Sequence, residues 1–323
     1  MPSFWTKLHK PFFVLAPMAD VTDVAFREII AKYGKPDVFF TEFVSADGLM
    51  SLGRKALLRD LAYTEKQRPI VAQLFTSKPE KMRGAAALVR ELGFDGVDIN
   101  MGCPDRKVEK QSAGAALIKN PKLALELVAA AKDGARDIPV SVKTRTGYHK
   151  DQVEEWIGLL LSVKPSAITT HARTRSDMSK VPARWENIKQ AVNLRDDLRS
   201  DTLIMGNGDV KDMDDARAKA RETGADGIML GRAIFGRPWL FKNSIEYLNR
   251  NEPEVVRKIL GIMLEHTRLF EKMLGGVKNF SIMKKHYKAY ADGFPGAKGL
   301  RIKLMETKNA DEVEAIVKEF VKV

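Results

Sequence analysis

Cys103 is the only cysteine in a chain of 323 residues. It follows the apolar run Gly96–Gly102 and stands between Gly102 and Pro104, two residues that break a strand and turn the chain. A lone thiol cannot make an intrachain disulfide or a cysteine-rich metal site. Two uses remain: a small packed hydrophobe, or a reagent held where a strand ends. A free thiol is mostly protonated at neutral pH, so as a reagent it can act as an acid. Other chemistry-bearing groups also fall at the ends of apolar runs: Gln73, Asn100, Lys143, Arg145, His171, Arg173, Asn207, Asp209 and Arg232. Gly206-Asn207-Gly208-Asp209 and Gly231-Arg232 place glycine turns after two successive runs. Such turns let backbone N–H groups approach a phosphate, and Arg232 can add a charge-assisted contact. Lys143 can stabilise negative charge on a bound ring, Gln73 offers a donor and an acceptor to its edge, and Met18 with its neighbours offers backbone groups beside it. That set suits a mononucleotide flavin, and a sugar phosphate would use similar groups. No His/Asp/Glu pair has metal-ligand spacing, so no metal is expected.

These residues converge only if the runs are parallel strands of one sheet. Eight candidate strands recur: Phe12–Met18, Val38–Val44, Ile70–Phe75, Gly96–Gly102, Val140–Arg145, Ala167–Arg173, Thr202–Gly208 and Gly227–Arg232. They are near-continuous apolar runs, as parallel strands covered on both faces require. Helical patterns lie between them at Val24–Tyr33, Pro79–Leu92, Pro121–Ala135, Gln152–Leu161, Trp185–Asn193 and Met213–Thr223. The alternation predicts an α/β fold, a closed (β/α)8 TIM barrel whose active site lies at the C-terminal strand ends. An open doubly wound sheet is the alternative, but the first strand-to-helix turn, Ala16-Pro17-Met18-Ala19-Asp20, carries no glycine-rich dinucleotide fingerprint. From about Leu240 the pattern is helical only. The predicted division is a catalytic barrel over 1–240 and a small all-helical domain over 241–323.

The formal net charge is +12, which favours a polyanionic partner. Between Lys272 and Lys303 eight cations face one carboxylate, Asp292, a net +7. Phe280, His286, Tyr287, Tyr290 and Phe294 are interleaved with them. Lysines can neutralise phosphates, and exposed aromatics can stack on bases; the other reading is an amphipathic helix with its aromatics turned to the core. The longest apolar runs are too short to cross a bilayer, so no membrane is expected. One cysteine and no signal-peptide pattern point to a reducing cytoplasm. A monomer is the default expectation.

Six elements together resemble the tRNA-dihydrouridine synthases, in chain order through the barrel. They are Ala16-Pro17-Met18-Ala19, Asn100-Met101-Gly102-Cys103-Pro104, Val142-Lys143-Thr144-Arg145-Thr146-Gly147, His171-Ala172-Arg173-Thr174-Arg175, Gly206-Asn207-Gly208-Asp209, and Gly231-Arg232-Ala233 with Gly236-Arg237-Pro238-Trp239. Met283-Lys284-Lys285-His286-Tyr287-Lys288 resembles that family's helical RNA-binding domain, so the likeness covers most of the chain. It implies FMN as cofactor, NADPH as electron donor and tRNA as partner. The implied reaction reduces the C5=C6 bond of uridine, with hydride from flavin N5 to C6 and a proton from Cys103 to C5. By the same resemblance Pro17, Met18, Ala19, Gln73, Lys143, His171, Asn207, Gly208, Asp209, Gly231 and Arg232 would hold FMN. Asn100 would meet the uracil edge. Arg145, Arg173, Arg106 and Lys107 would serve the substrate side, and Lys284, Lys285 and Lys288 the RNA backbone. Arg106 and Lys107 also stand close enough in sequence to lower the Cys103 pKa. Ala172 stands where the family commonly has glycine, and the stretch 176–182 is less familiar. Two other readings are an FMN barrel reductase for a free small molecule, which has no need of the basic tail, and an idle RNA-binding barrel, which has no need of Cys103 in its turn.

Overall fold

The computed structural model describes residues 3–242 and 249–322. The chain forms two compact units. One comprises the segment up to Ala19 with Pro36–Gly231; the other comprises Asp20–Lys35 with the segment from Arg232.

The first unit holds eight strands: β1 Phe12–Leu15, β2 Phe39–Ser45, β3 Ile70–Phe75, β4 Gly96–Asn100, β5 Val140–Arg145, β6 Ala167–His171, β7 Leu203–Asn207 and β8 Gly227–Leu230. All are parallel, in the order β1-β8-β7-β6-β5-β4-β3-β2. A parallel bridge between Val14 and Val38 joins the two outer members. The sheet therefore closes as the expected (β/α)8 barrel. Several strands end earlier than the apolar runs suggest. β4 stops at Asn100 because the Asn100 carboxamide, not a neighbouring strand, accepts the N–H groups of Gly102 and Cys103. Between β5 and β6 the expected helix opens as a wide π-type turn, Val153–Ile157, before the short α-helix Gly158–Ser162. Trp156 of that turn donates to Thr144 Oγ1 of β5 at 2.8 Å.

Trp5, Phe12, Val14, Ala16, Val38, Phe40, Val71, Ala167, Met205 and Met229 form a buried cluster inside the barrel. Trp5, from the short helix Phe4–Lys7, packs on Phe12 at the N-terminal end of β1. That end is filled with apolar rings, which leaves the polar groups to the C-terminal strand ends.

The second unit contains the helices Val24–Tyr33, Pro253–Leu274, Met283–Tyr290, Ala297–Glu306 and Ala310–Lys322. Glu265 accepts from Lys32 and from Tyr33, each at 2.6 Å, tying the first two together. Phe26 stacks on His266 at 4.7 Å and meets His286 edge-on at 4.6 Å. His266 Nε2 and both ring nitrogens of His286 have no hydrogen-bond partner among the described residues. Burial pushes His286 down to about 3, with Lys285 adding to the effect. Burial and the neighbouring His286 hold His266 well below its ordinary value. In the unfolded chain both titrate near pH ~6.5. The unfolded state therefore binds more protons below that pH, and stability is lost as pH falls from ~6.5 toward 3, by up to about 1.4 kcal/mol per pH unit per proton. The urea midpoint should fall clearly between pH 7 and pH 5, and His286→Phe should remove part of that fall. An unchanged wild-type midpoint over that range would refute this account.

Candidate active site

Side chains alternate along a strand, so the inward cluster fixes which residues face the barrel interior. Two positions beyond Val71, Met205 and Met229 come Gln73, Asn207 and Gly231, and four beyond Ala167 comes His171. Register carries the pattern to β4 and β5: Gln73 stands beside Asp98, Asp98 beside Ser141, and Asn100 beside Lys143. The buried polar groups of adjacent strands thus lie side by side at one level of the barrel.

They form a continuous hydrogen-bonded chain. Ser141 Oγ donates to Asp98 Oδ1 at 2.6 Å, and Gln73 Nε2 donates to Asp98 Oδ2 at 2.7 Å. Asn100 Nδ2 donates to Gln73 Oε1 at 3.0 Å. Asn100 Oδ1 accepts from Gly102 N–H at 3.1 Å and from Cys103 N–H at 2.9 Å. The turn bearing the thiol is held from its other side by Arg145. Its Nε donates to Gly102 O at 2.8 Å, and its Nη1 donates to Thr174 O at 2.9 Å and Met178 O at 3.2 Å. Burial pulls Arg145 down to about 10, which leaves it charged at neutral pH.

Cys103 is half-buried and packs against the buried cluster Phe75, Val108 and Ala113. Gly114 makes that packing possible. Its φ is +62°, and a Cβ there would meet Cys103 O at 2.7 Å and Val108 Cγ1 at 2.8 Å. Burial pushes the thiol pKa up; the backbone bond at Asp105 and the charges of Lys143 and Arg145 oppose it without reversing it. The expectation that Arg106 and Lys107 act on the thiol is not met. Both are exposed on the short helix Arg106–Glu109, and the cations whose charge acts on the thiol are Lys143 and Arg145.

Lys143 is half-buried and donates to Asn207 Oδ1 at 3.2 Å, while Asn207 Nδ2 donates to Met229 O at 2.8 Å. Burial and the neighbouring Arg145 pull Lys143 down to about 8, against the pull of Asp98 and Cys103. At the ends of β6 and β7, Arg173 is buried and pairs with Asp209; it also donates to Val181 O at 2.6 Å. Arg173 Nη1 lies 3.1 Å from His171 Nε2. A guanidinium only donates, so Nε2 is an acceptor and the His171 proton sits on Nδ1. Gly208 has φ +131°, and a Cβ there would meet Ala183 Cβ at 3.0 Å and His171 Cδ2 at 3.2 Å, so the backbone comes close to both. Gly231 lies beside Ala16 and Met18: a Cβ on it would stand 3.6 Å from Ala16 Cβ and 3.7 Å from Met18 Sδ. Pro17 and Met18 are half-buried and Ala19 is exposed, just beyond β1. Arg232 is exposed, opens the short helix Arg232–Ile234 and groups with the second unit.

In the second unit, Lys285 and Lys288 line an open cleft of about 550 Å³ with Phe235, Ala289, Asp292 and Arg301. Lys284 is half-buried and lies outside this lining. The interleaved aromatics do not offer stacking faces. His286, Tyr287, Tyr290 and Phe294 are buried, and Phe280 is half-buried against Phe270. Met283, His286, Tyr287 and Tyr290 form one helix face directed at the core, which is the amphipathic reading of that segment.

Two residues of the polar chain, Asp98 and Ser141, are absent from the strand-end reading. Asp98 had a signal: a carboxylate in the middle of the apolar run Gly96-Val97-Asp98-Ile99-Asn100, two residues before Asn100 and so on the same face. Burial pushes its pKa up to about 6, while Ser141, Gln73 and Lys143 draw it back. Among the described residues no cluster of three potential metal ligands occurs, and no helix is long and apolar enough to cross a membrane.

The family described as Dihydrouridine synthase (Dus) matches residues 14–323. A probable tRNA-dihydrouridine synthase 2 of Bacillus subtilis strain 168 is 41% identical over 321 residues, covering 98% of this chain and 96% of its own. A probable tRNA-dihydrouridine synthase of Staphylococcus aureus strain MRSA252 is 37% identical over 323 residues, covering 98% and 95%. The fold is similar over 77% of this chain to part of histamine dehydrogenase from Rhizobium sp. 4-9, 48% of that chain, with a TM-score of 0.56 and 14% identity. The match across nearly the whole length, with two such relatives, places this chain in the dihydrouridine synthase family.

Proposed function

We propose that this enzyme is an FMN-dependent, NADPH-driven tRNA-dihydrouridine synthase whose general acid is Cys103. The observation that carries the reading is the sole thiol, half-buried on a turn held by Asn100 and Arg145 at the C-terminal end of β4, where burial favours its protonated form. The donor set at the barrel mouth fits a flavin. Gln73 keeps one amide proton and one lone pair beyond its two internal bonds, Lys143 supplies a cation, and the Gly208 backbone comes within reach of His171. When bound, the flavin supplies the hydride that uracil C6 receives. Cys103 then supplies the proton: its S–H bond breaks as the C5–H bond forms, and solvent reprotonates the sulfur. Asn100 presents the uracil edge with what remains of its amide, and Arg145 holds the acid's turn rather than reaching outward.

The target uridine must leave its stack, which costs a few kcal/mol, so further RNA contacts have to offset that. Lys285, Lys288 and Arg301 provide phosphate contacts on the second unit. Lys285→Ala with Lys288→Ala should weaken tRNA binding and flatten the log–log salt dependence by about one to two units, with flavin content unchanged. An unaltered affinity and slope would make that helix a solvated face.

The direct test is anaerobic. The protein is reduced with NADPH and mixed with tRNA lacking dihydrouridine. Flavin absorbance that returns on adding tRNA supports the reading. Reoxidation by small enones or pyrimidines alone would transfer the enzyme to a small substrate, and no flavin after reconstitution with FMN would overturn the redox assignment.

A further inference from the structure

We propose that Asp98 is a positioning residue of this site: its carboxylate sets the direction of the two amides between it and the Cys103 turn. The inference rests on the reading above only for the role of Cys103. Both ends of the chain have fixed polarity. The Gly102 and Cys103 N–H groups can only donate, so the Asn100 oxygen must face them and its NH2 must face away. An ionised carboxylate can only accept, so the Gln73 NH2 must face Asp98. The two amides then meet oxygen to NH2, at 3.0 Å, in the one arrangement that satisfies every member. Ser141 completes the carboxylate from β5 at 2.6 Å. All four side chains are buried, so water cannot take over a lost partner at low cost. Asp98 touches none of the reacting atoms; it acts through Gln73 and Asn100.

Replacing one oxygen by NH2 therefore has a directional consequence. In Asp98→Asn the new amide keeps its oxygen toward Ser141, because the reverse orientation leaves the Ser141 proton only Val97 O, 3.5 Å away and too far for a good O–H···O bond; its NH2 then stands against the Gln73 NH2. Gln73 must turn over, then Asn100, and the last NH2 faces the donating N–H groups of Gly102 and Cys103. The turn loses its clamp. Adding Gln73→Glu reverses the polarity of that link. Ser141 then donates to the oxygen of the introduced amide, whose NH2 donates to the introduced carboxylate. Asn100 donates to the other oxygen of that carboxylate, and the Asn100 oxygen again faces the turn. One carboxylate remains in the relay in both the native and the doubly altered chain.

The experiment reads Cys103 alkylation by iodoacetamide in the full chain, because the sole cysteine makes the signal unambiguous. Flavin content and thermal melts are recorded alongside. Asp98→Asn should alkylate about tenfold faster than wild type, and the double variant should return to within about threefold. The proposal requires the double variant to fold, since every donor meets an acceptor in it. A folded Asp98→Asn with the wild-type rate overturns the proposal. So does a double variant that stays fast, or one that does not fold. Alkylation needs neither tRNA nor turnover, so such results count against the amide relay and leave the synthase reading to its own test.

Discussion

Cys103→Ala is expected to keep its flavin and its NADPH oxidation, and to lose uridine reduction by about 10²- to 10⁴-fold, the range typical of a missing general acid. The separation follows from where the thiol sits. Cys103 belongs to the turn after β4 and packs on Phe75, Val108 and Ala113, whereas the groups fitted to the flavin lie on β3, β5, β6 and β7. Losing one sulfur from a half-buried position leaves those strands unchanged. The thiol's raised pKa carries a second consequence. An acid works while it holds its proton, so titration of Cys103 itself should limit the step only above the ordinary thiol range. Stopped-flow mixing of the reduced variant with tRNA reads the step directly. Reoxidation at the wild-type rate would remove Cys103 from the proton transfer.

The strands were legible because each is an apolar run covered on both faces, and the core of every observed strand falls within or against an expected run. Their ends were less legible. Asn100 and His171 close β4 and β6 through side-chain bonds, and hydropathy does not register those. Asp98 lies in a strand interior, which a reading of strand ends passes over; a period of two counted back from Asn100 reaches it at once. On the helix Met283–Tyr290 a helical period separates two sets that composition had merged. Met283, His286, Tyr287 and Tyr290 point to the core, while Lys285 and Lys288 line the cleft. Arg145 and Arg173 illustrate a different gap. Each has the chemistry to meet a substrate, yet their guanidiniums are engaged with the carbonyls of Gly102, Thr174 and Val181 and with Asp209. Those partners come from residues 8 to 43 positions away, brought together by the barrel. The grouping of Asp20–Lys35 with the C-terminal helices has the same origin, in pairings such as Tyr33 with Glu265.

Lys143→Met should slow uridine reduction by about 10²- to 10³-fold, the usual effect of removing one preorganised electrostatic partner, without weakening the fold. The two halves of this expectation have one cause. Burial pulls Lys143 down to about 8, so the protein works to keep that charge inside. In the unfolded chain the same amine titrates near ~10.4. Its folded pKa is depressed, so the unfolded state binds more protons between about pH 8 and 10.4, and this group costs stability at neutral pH. Methionine fills similar space without the charge, and the melting temperature at pH 7 should hold or rise. Such a cost is retained where the cation is needed, against negative charge on a ring bound beside Asn207 and Gln73. Activity that depends on the ammonium should decline as pH rises through about 8, well before the raised Cys103 thiol loses its proton. In Lys143→Met that alkaline limb should vanish from the remaining rate. A variant with native flavin content, the wild-type rate and the same limb would place the charge outside the chemistry.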